Sequence, residues 1–287
     1  MKLKIIKEGN IKIKVPVEEE LTRKMSVFYN PEMKFDRDLS EIIVSVLKPK
    51  KICDGLAASG VRGLRYANIL EGEICKDGLT DCPEVVLNDT NPNAVKLMDK
   101  NAKLNSLKIR IENKNANKLL LEEMFDFIDI DPFGSPIYFL DCAAKSIRNR
   151  GIVALTATDT APLCGTSPLT CLRRYGIKSL RTDFSKELGL RILISSAIKH
   201  FTKYDIAFTP IFSYCRKHYF RIFGKIERGC KRADSLLKQF DYISYCQKCG
   251  FRKTGILGKC ENCGEKLNLI GKLYLGDFAD KDFCNKL

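Results

Sequence analysis

A chain of 287 residues with 45% hydrophobic and 29% charged side chains has the make-up of a folded soluble protein, with room for one α/β core and a smaller module. Its +14 charge (49 Lys+Arg against 35 Asp+Glu) is uneven: residues 214–287 hold 16 basic and 8 acidic side chains, an excess that favours a polyanion such as nucleic acid, although charge alone fits a plain basic surface equally well. No stretch approaches the ~20 apolar residues of a membrane helix, and the Lys-interspersed N-terminus has no apolar core of a secretory signal.

Thirteen cysteines without a signal point to a reducing, cytoplasmic setting in which thiols stay free or bind metal. The odd number argues against a fully paired disulfide framework.

Taken in order, residues 3–15 alternate apolar and polar about Gly9-Asn10, which predicts a β-hairpin ended by Pro16. Val27-Phe-Tyr-Asn-Pro31 reads as a turn carrying two aromatics. The periodicity then predicts a helix from about Asp38 to Leu47, with Leu39, Ile42, Ile43 and Val46 on its apolar face and Pro49 as its stop. Lys51–Asp54 is a short strand, followed by small residues (Gly55 to Gly63) and a helix starting near Gly60. Such a loop lets a backbone approach a ligand, and the helix N-terminus attracts negative groups. Gly55, Gly60 and Gly63 do not make G-x-G-x-x-G, so as a dinucleotide fingerprint the loop is weak, and a structural tight turn explains it equally.

Glu84–Asp89 is a second strand with an acid at its end, where doubly wound folds bind ribose hydroxyls. Asp89 lies further downstream than the usual ~20 residues, a difference that a loop over 71–83 absorbs. Strands are also predicted at 108–112, 125–131 and 151–156, with helices at 92–104 and 135–147 between them; that rhythm argues for a mainly parallel sheet. Ala161–Pro168 reads as a loop near the mouth of the site. Cys171-Leu-Arg-Arg-Tyr175 is a candidate RNA contact, or an ordinary solvated face. Lys186–Phe201 is helical, and Tyr204–Tyr214 with His218–Ile226 forms a last hairpin. His200 and His218, the two histidines, lie in no nucleophile pattern.

The stretch Phe125-Asp-Phe-Ile-Asp-Ile-Asp-Pro-Phe-Gly134 is a β-rich run stopped by Pro132. Parallel α/β sheets place their chemistry at such carboxyl ends. Alternation sends Asp129 and Asp131 to one side. Asp131, a carbonyl at Pro132 and the ring of Phe133 suit a planar base with an exocyclic amino group, held by two acceptors and stacked. The bland alternative is a strand end capped by an Asx-turn at Asp131.

Cys246-Gln-Lys-Cys249 and Cys260-Glu-Asn-Cys263 are two C-x-x-C knuckles, each followed by Gly. Tetrahedral Zn2+ needs four thiolates at about 2.3 Å, and two knuckles supply them with little loop closure. Gly250 and Gly264 allow the backbone to bend around the sulfurs. With all four positions taken, the metal is expected to be structural and not catalytic; the alternative is four free or redox thiols in a loop.

Together, Val27–Pro31, Asp54-Gly-Leu-Ala-Ala-Ser-Gly-Val-Arg-Gly63, Asp131-Pro-Phe-Gly-Ser-Pro136, Leu163–Thr166, Cys171–Gly176 and His218-Tyr-Phe-Arg221 resemble the tRNA (guanine-N2-)-dimethyltransferase family, over nearly the whole chain. The resemblance implies an enzyme that methylates guanine 26 of tRNA with S-adenosyl-L-methionine. It implies a class I methyltransferase fold over residues 1–228, Rossmann-like with a seven-stranded mostly parallel sheet and the N-terminal hairpin as an extension, and a zinc-binding region over 229–287. It makes Asp131, Pro132, Phe133 and Gly134 the catalytic motif, with Phe28 a second wall for the base. Arg37 and Arg62 match arginines at the cofactor's methionine end. Asp54 and Gly55 open the cofactor loop, Asp89 with Thr90 would hold the ribose, and Asn115 with Ala116 would flank the adenine. The family often has Asp where this chain has Asn115. Its members usually continue past Ile270–Asp277, so a further C-terminal domain is expected to be missing here. The implied partner is tRNA, with no membrane and no obligate protein partner. Rival readings are an amino-methyltransferase acting on DNA, rRNA or a protein glutamine, a non-catalytic zinc-containing RNA-binding module, and a nicotinamide dehydrogenase, which the missing G-x-G-x-x-G disfavours.

Overall fold

The computed structural model describes residues 2–17, 25–74 and 82–287. In chain order the strands are β1 (Leu3–Glu8), β2 (Ile11–Pro16), β3 (Lys51–Asp54), β4 (Glu84–Asn88), β5 (Arg110–Glu112), β6 (Phe125–Ile130), β7 (Ile147–Ala157), β8 (Ile206–Arg216), β9 (Tyr219–Arg228), β10 (Phe240–Tyr245), β11 (Arg252–Thr254) and β12 (Asn268–Tyr274). The helices are α1 (Lys34–Leu47), α2 (Val61–Ile74), α3 (Pro92–Leu104), α4 (Ala116–Glu122), α5 (Leu140–Ser146), α6 (Thr160–Leu163), α7 (Pro168–Tyr175), α8 (Ser185–Thr202), α9 (Cys230–Leu237) and α10 (Lys281–Cys284).

The main sheet has seven strands in the order β5-β4-β3-β6-β7-β9-β8. Pairs β3–β4, β3–β6 and β4–β5 are parallel, and β8–β9 is antiparallel. From β3 the chain steps outward to β4 and β5, then returns to the other side of β3 as β6. That reversal is the topological switch point, where open α/β sheets leave a crevice beyond the carboxyl strand ends. Parallel strands buried on both faces need near-continuous apolar runs. Val85, Val86 and Leu87 of β4 and Phe127, Ile128 and Ile130 of β6 supply them, all fully or almost fully buried.

Two compact units form. The first contains Met1–Asp131, Lys145–Ala154 and Asn285–Leu287; the second contains Pro132–Ala144 and Leu155–Cys284. Strand β7 passes from one to the other.

In the first unit the predicted hairpin is present, its strands paired from Leu3–Pro16 to Glu8–Ile11, with Gly9 at φ +59° in the turn. The predicted helix begins earlier, at Lys34, and ends at Lys48 in the left-handed conformation just before Pro49. Its buried face only partly matches the expected one. Ile43 is buried and Leu39 and Val46 are half-buried, but Ile42 is 41% exposed, and the buried set also takes in Asp36, Arg37, Ser40 and Val44. Hydrophobic periodicity missed the polar members because they are satisfied by partners distant in sequence. Of the loop expected over 71–83, Glu71 to Ile74 extend α2, and 75–81 lie outside the described residues.

Gly63 sits where α2 crosses the sheet. A Cβ there would lie 2.1 Å from Leu87 Cδ2 and 3.2 Å from Asp54 Oδ2. Gly63→Ala should therefore lower stability by about 1–3 kcal/mol, because a packed strand must shift to admit one methyl group. Denaturant titration of the variant measures it.

In the second unit, α8 packs against the β8–β9 hairpin and against β12 of a three-stranded sheet in the order β11-β10-β12. The docking is polar as well as apolar: Ser195 Oγ accepts the Tyr274 N–H at 2.8 Å, and Arg191 donates to the carbonyls of Tyr274 and Gly276. The expected loop at 161–168 is partly helical, since α6 takes its first three residues.

Candidate active site and metal centre

Strands β3 and β6 are parallel neighbours with Asp54 opposite Asp129, so two carboxylates leave adjacent strand ends. Both are buried. Burial, with the Asp129 charge behind it, pushes the Asp54 carboxyl up to about 7, although the Gly63 N–H donates to its Oδ2 at 3.0 Å. Asp129 Oδ2 accepts the Tyr66 hydroxyl at 2.7 Å. Asp131, one residue past β6, emerges at the rim with its side chain 23% exposed. A single guanidinium serves this acidic group: Arg62, 5% exposed, contacts Asp131 Oδ2 closely, donates to Asp36 Oδ2 at 2.5 Å and lies 3.9 Å from Asp129.

The linkage sign for Asp54 follows from its raised value. Below the unfolded value near 3.8 both states hold the proton. Between 3.8 and about 7 the unfolded chain has released it while the folded chain keeps it, so stability falls as pH rises through that window. Asp54→Asn keeps an acceptor for the Gly63 N–H and removes the slope. Melting temperatures across the window should show the variant gaining on the parent as pH rises.

Phe28, Arg37, Asp54, Arg62 and Asp131 line one cleft of ≈ 370 Å³, counting its open mouth, together with Tyr29 and the loop Leu56–Ser59 with Val61. Arg37 is held by the hairpin. Its Nε and Nη2 bond both oxygens of Glu8, at 2.6 and 2.8 Å, and its guanidinium stacks over Tyr29. Burial opposes ionisation of Glu8, but its bonds to Arg37, Tyr29 and Arg65 prevail and hold its carboxyl below the usual range.

The small-residue loop is fixed from the next strand. Ala58 is at φ +48°, a conformation costly for a residue with a Cβ, and Asp89 Oδ2 accepts its N–H at 2.9 Å. The other Asp89 oxygen accepts the Asn91 N–H at 2.8 Å. Buried Asn88 donates to the carbonyls of Gly55 and Lys114 and accepts the Lys114 N–H, so three strand ends are tied together. This brings the loop beginning at Gly55 beside Asn115 and Ala116. Asn115 caps α4 by accepting the Asn117 N–H at 2.9 Å, a task Asn and Asp perform alike. Thr90 is exposed beside Asp89.

Pro132, Phe133 and Gly134 belong to the second unit. Gly134 is pinned there: its N–H donates to Thr158 Oγ1 at 2.7 Å and its carbonyl accepts the Thr158 N–H at 2.9 Å. Phe133 is 49% exposed. The neighbouring Asp159 is held by Arg174 at 2.9 Å and by the Tyr175 hydroxyl at 2.6 Å. Within Cys171–Tyr175, then, Arg174 and Tyr175 serve this contact, and Arg173 with Leu172 forms the exposed side. His200 bonds Asp141 at 3.0 Å.

Sulfur atoms of Cys246, Cys249, Cys260 and Cys263 all lie within 4.8 Å of one another. The Cys246–Cys263 and Cys249–Cys260 separations are both 3.5 Å, near the ~3.8 Å edge that tetrahedral Zn–S bonds of about 2.3 Å require. Gly250 and Gly264 have φ of +74° and +73°. The backbone N–H of Cys249 pulls the Cys246 thiol down, whereas the neighbouring thiols push Cys249 and Cys263 up, as close sulfurs without a cation must. The donor set fits zinc. Among the described residues eleven cysteines are free thiols, these four among them, and Cys82 is disulfide-bonded, an exception to the expectation of free or metal-bound thiols.

The family model for N2,N2-dimethylguanosine tRNA methyltransferases matches residues 9–287. The chain belongs to that family. It is 40% identical over 303 residues to the tRNA (guanine(26)-N(2)/guanine(27)-N(2))-dimethyltransferase of Aquifex aeolicus, covering 99% of this chain and 75% of that protein. It is 41% identical over 300 residues to the tRNA (guanine(26)-N(2))-dimethyltransferase of Saccharolobus solfataricus, covering 100% of this chain and 77% of that one. Trm1 from Pyrococcus horikoshii, solved with S-adenosyl-L-methionine, superposes with a TM-score of 0.85 at 34% identity, over 99% of this chain and 76% of that one. In this member of the dimethylguanosine methyltransferase family, the fold is a mostly parallel seven-stranded sheet with a cluster of four cysteines near the C-terminus. No helix among the described residues is long and apolar enough to cross a membrane.

Sequence reasoning missed Asp36, Ser40, Glu8, Asn88 and Thr158. Asp36 and Glu8 carry no local pattern, and their partners lie 26 and 29 residues away. Asn88 had one available signal: a polar residue closing an otherwise apolar strand.

Proposed function

We propose that this chain transfers methyl groups from S-adenosyl-L-methionine to the exocyclic N2 of guanine 26 in tRNA, giving N2-methyl- and N2,N2-dimethylguanosine. The observation that carries the reading is the placement of Asp131 in the same cleft as Phe28, Asp54 and the small-residue loop. The cleft suits a cofactor of this kind, because the small loop residues Ala57, Ala58 and Ser59 leave its backbone approachable. When bound, the cofactor supplies an electrophilic methyl group. Arg37 and Arg62 would be the cations for its carboxylate, Asp54 and Gly55 would open its loop, Asp89 with Thr90 would hold the ribose, and Asn115 with Ala116 would flank the adenine.

Guanine N2 is a poor nucleophile because its lone pair is delocalised into the ring. The Asp131 carboxylate and the carbonyl at Pro132 accept its N–H bonds and stabilise the positive charge that grows on nitrogen. Asp131 or water takes the proton the nitrogen sheds. The base leaves its stack to enter the cleft, and Phe28 in its wall offsets that cost by stacking. A second methylation uses the remaining N–H in the same way. Residues 229–287 form a module organised by structural zinc on Cys246, Cys249, Cys260 and Cys263. With tRNA as its substrate, the protein works in the cytoplasm.

Incubating unmodified tRNA with radiolabelled S-adenosyl-L-methionine and mapping the nucleosides tests this directly. Label in N2-methylated guanosine at position 26 is expected. Label that duplex DNA competes away, or that appears on rRNA or protein instead, would replace the substrate; a chain that binds the cofactor without transferring label would be a non-catalytic RNA-binding module.

A further inference from the structure

We propose that Asp36 and Ser40 are positioning residues for methyl transfer, acting through Arg62 on Asp131. Neither side chain lines the cleft, whereas Arg62 and Asp131 both do. Asp36 and Ser40 are fully buried one turn apart on α1. Arg62 Nη2 donates to Asp36 Oδ2 at 2.5 Å and also contacts Asp131 Oδ2, while Nη1 donates to Ser40 Oγ at 3.1 Å. Ser40 in turn donates its hydroxyl proton to the Asp36 carbonyl at 2.7 Å, which fixes its lone pairs toward the guanidinium.

A buried ion pair gains little stability over apolar packing, so an arrangement like this is weak as a fold stabiliser. Its geometry has a clearer consequence. With Asp36 sharing Nη2 and Ser40 taking Nη1, the guanidinium has a fixed position from which to hold Asp131 Oδ2. Asp131 Oδ1 has no hydrogen-bond partner among the described residues and is left as the acceptor for the base. The same cation is shared with the neighbouring carboxylates of Asp36 from α1 and Asp129 from β6, and the Tyr66 hydroxyl donates to Asp129.

This inference rests on the reading of Asp131 as the acceptor of the guanine N2 protons. Its test combines single-turnover methyl transfer, calorimetric cofactor binding and melting temperature for Asp36→Asn, Ser40→Ala and Arg62→Ala. Asp36→Asn should slow transfer roughly 10- to 100-fold, as expected when a reacting group is misplaced by a fraction of an ångström, in protein that melts lower for want of one buried charge but is folded at the assay temperature, with tRNA KM near the parent value. Ser40→Ala should show a smaller loss of the same kind. Arg62→Ala should be partly rescued by millimolar guanidinium, which re-enters the gap between the two carboxylates. That rescue should disappear in Arg62→Ala/Asp36→Asn, a pair that removes both charges and so stays foldable. A parent enzyme without activity on tRNA would remove the functional reading itself. An active parent with Asp36→Asn at full rate, or with guanidinium rescue absent or independent of Asp36, would remove the positioning role alone.

Discussion

Replacing Asp131 by alanine is expected to reduce methyl transfer to tRNA by on the order of a thousandfold, while cofactor affinity and folding survive. The expected size follows from what the carboxylate does. It accepts a proton-bearing nitrogen whose positive charge develops only as the methyl group arrives, so its stabilisation belongs to the transition state and appears in kcat. Folding survives because Arg62 keeps Asp36, Asp129 and Ser40 as partners, and the removed side chain is at the rim. Single-turnover transfer of radiolabelled methyl groups measures the loss, with calorimetry as the control on the cofactor. Turnover retained within tenfold of the parent would end the mechanism.

The second large effect is expected at the cysteines. Around them the packed core is small: Cys246, Cys260 and Leu267, with Phe251 and Leu257 against them. Strand β11 adds only a short pairing to β10, from Ile243–Thr254 to Tyr245–Arg252. So little apolar surface cannot offset the entropy of ordering the two knuckles, and the metal must do so. Cys249→Ser with Cys263→Ser should therefore abolish zinc retention and destabilise the module by several kcal/mol, with increased protease cleavage between Tyr245 and Leu267. Native mass spectrometry reads the metal directly. An unchanged zinc stoichiometry would place the metal elsewhere.

The two sites differed in how far they could be read from the chain. The zinc cluster was legible because its ligands are close in sequence and its glycines mark the bends; Gly250 and Gly264 do have positive φ. The strand-to-turn stop at Asp131 was legible for a similar reason, since Pro132 ends a run of β-formers. What α1 does was not. Its apolar periodicity pointed to Leu39, Ile42, Ile43 and Val46, of which Ile43 is buried, but it gave no sign that Asp36, Arg37 and Ser40 are buried as well. Those residues are buried because Arg62 and Glu8 meet them there. Likewise, Cys171–Tyr175 read as a basic surface, but two of its residues turn inward to Asp159.

By itself the sequence determined what depends on near neighbours: the alternation of strand and helix, the small-residue loop, the knuckles and the placement of an acid at a strand end. Periodicity, turn chemistry and ligand spacing are local, and a few residues suffice to express them. Only the tertiary structure decided which charges meet. Arg62 finds Asp36 and Asp131 from 26 and 69 residues away, and Glu8 closes on Arg37 and Arg65 from 29 and 57. A buried ion must be matched by its opposite in space, and the parallel crossovers that bring such partners together leave no periodic trace along the chain.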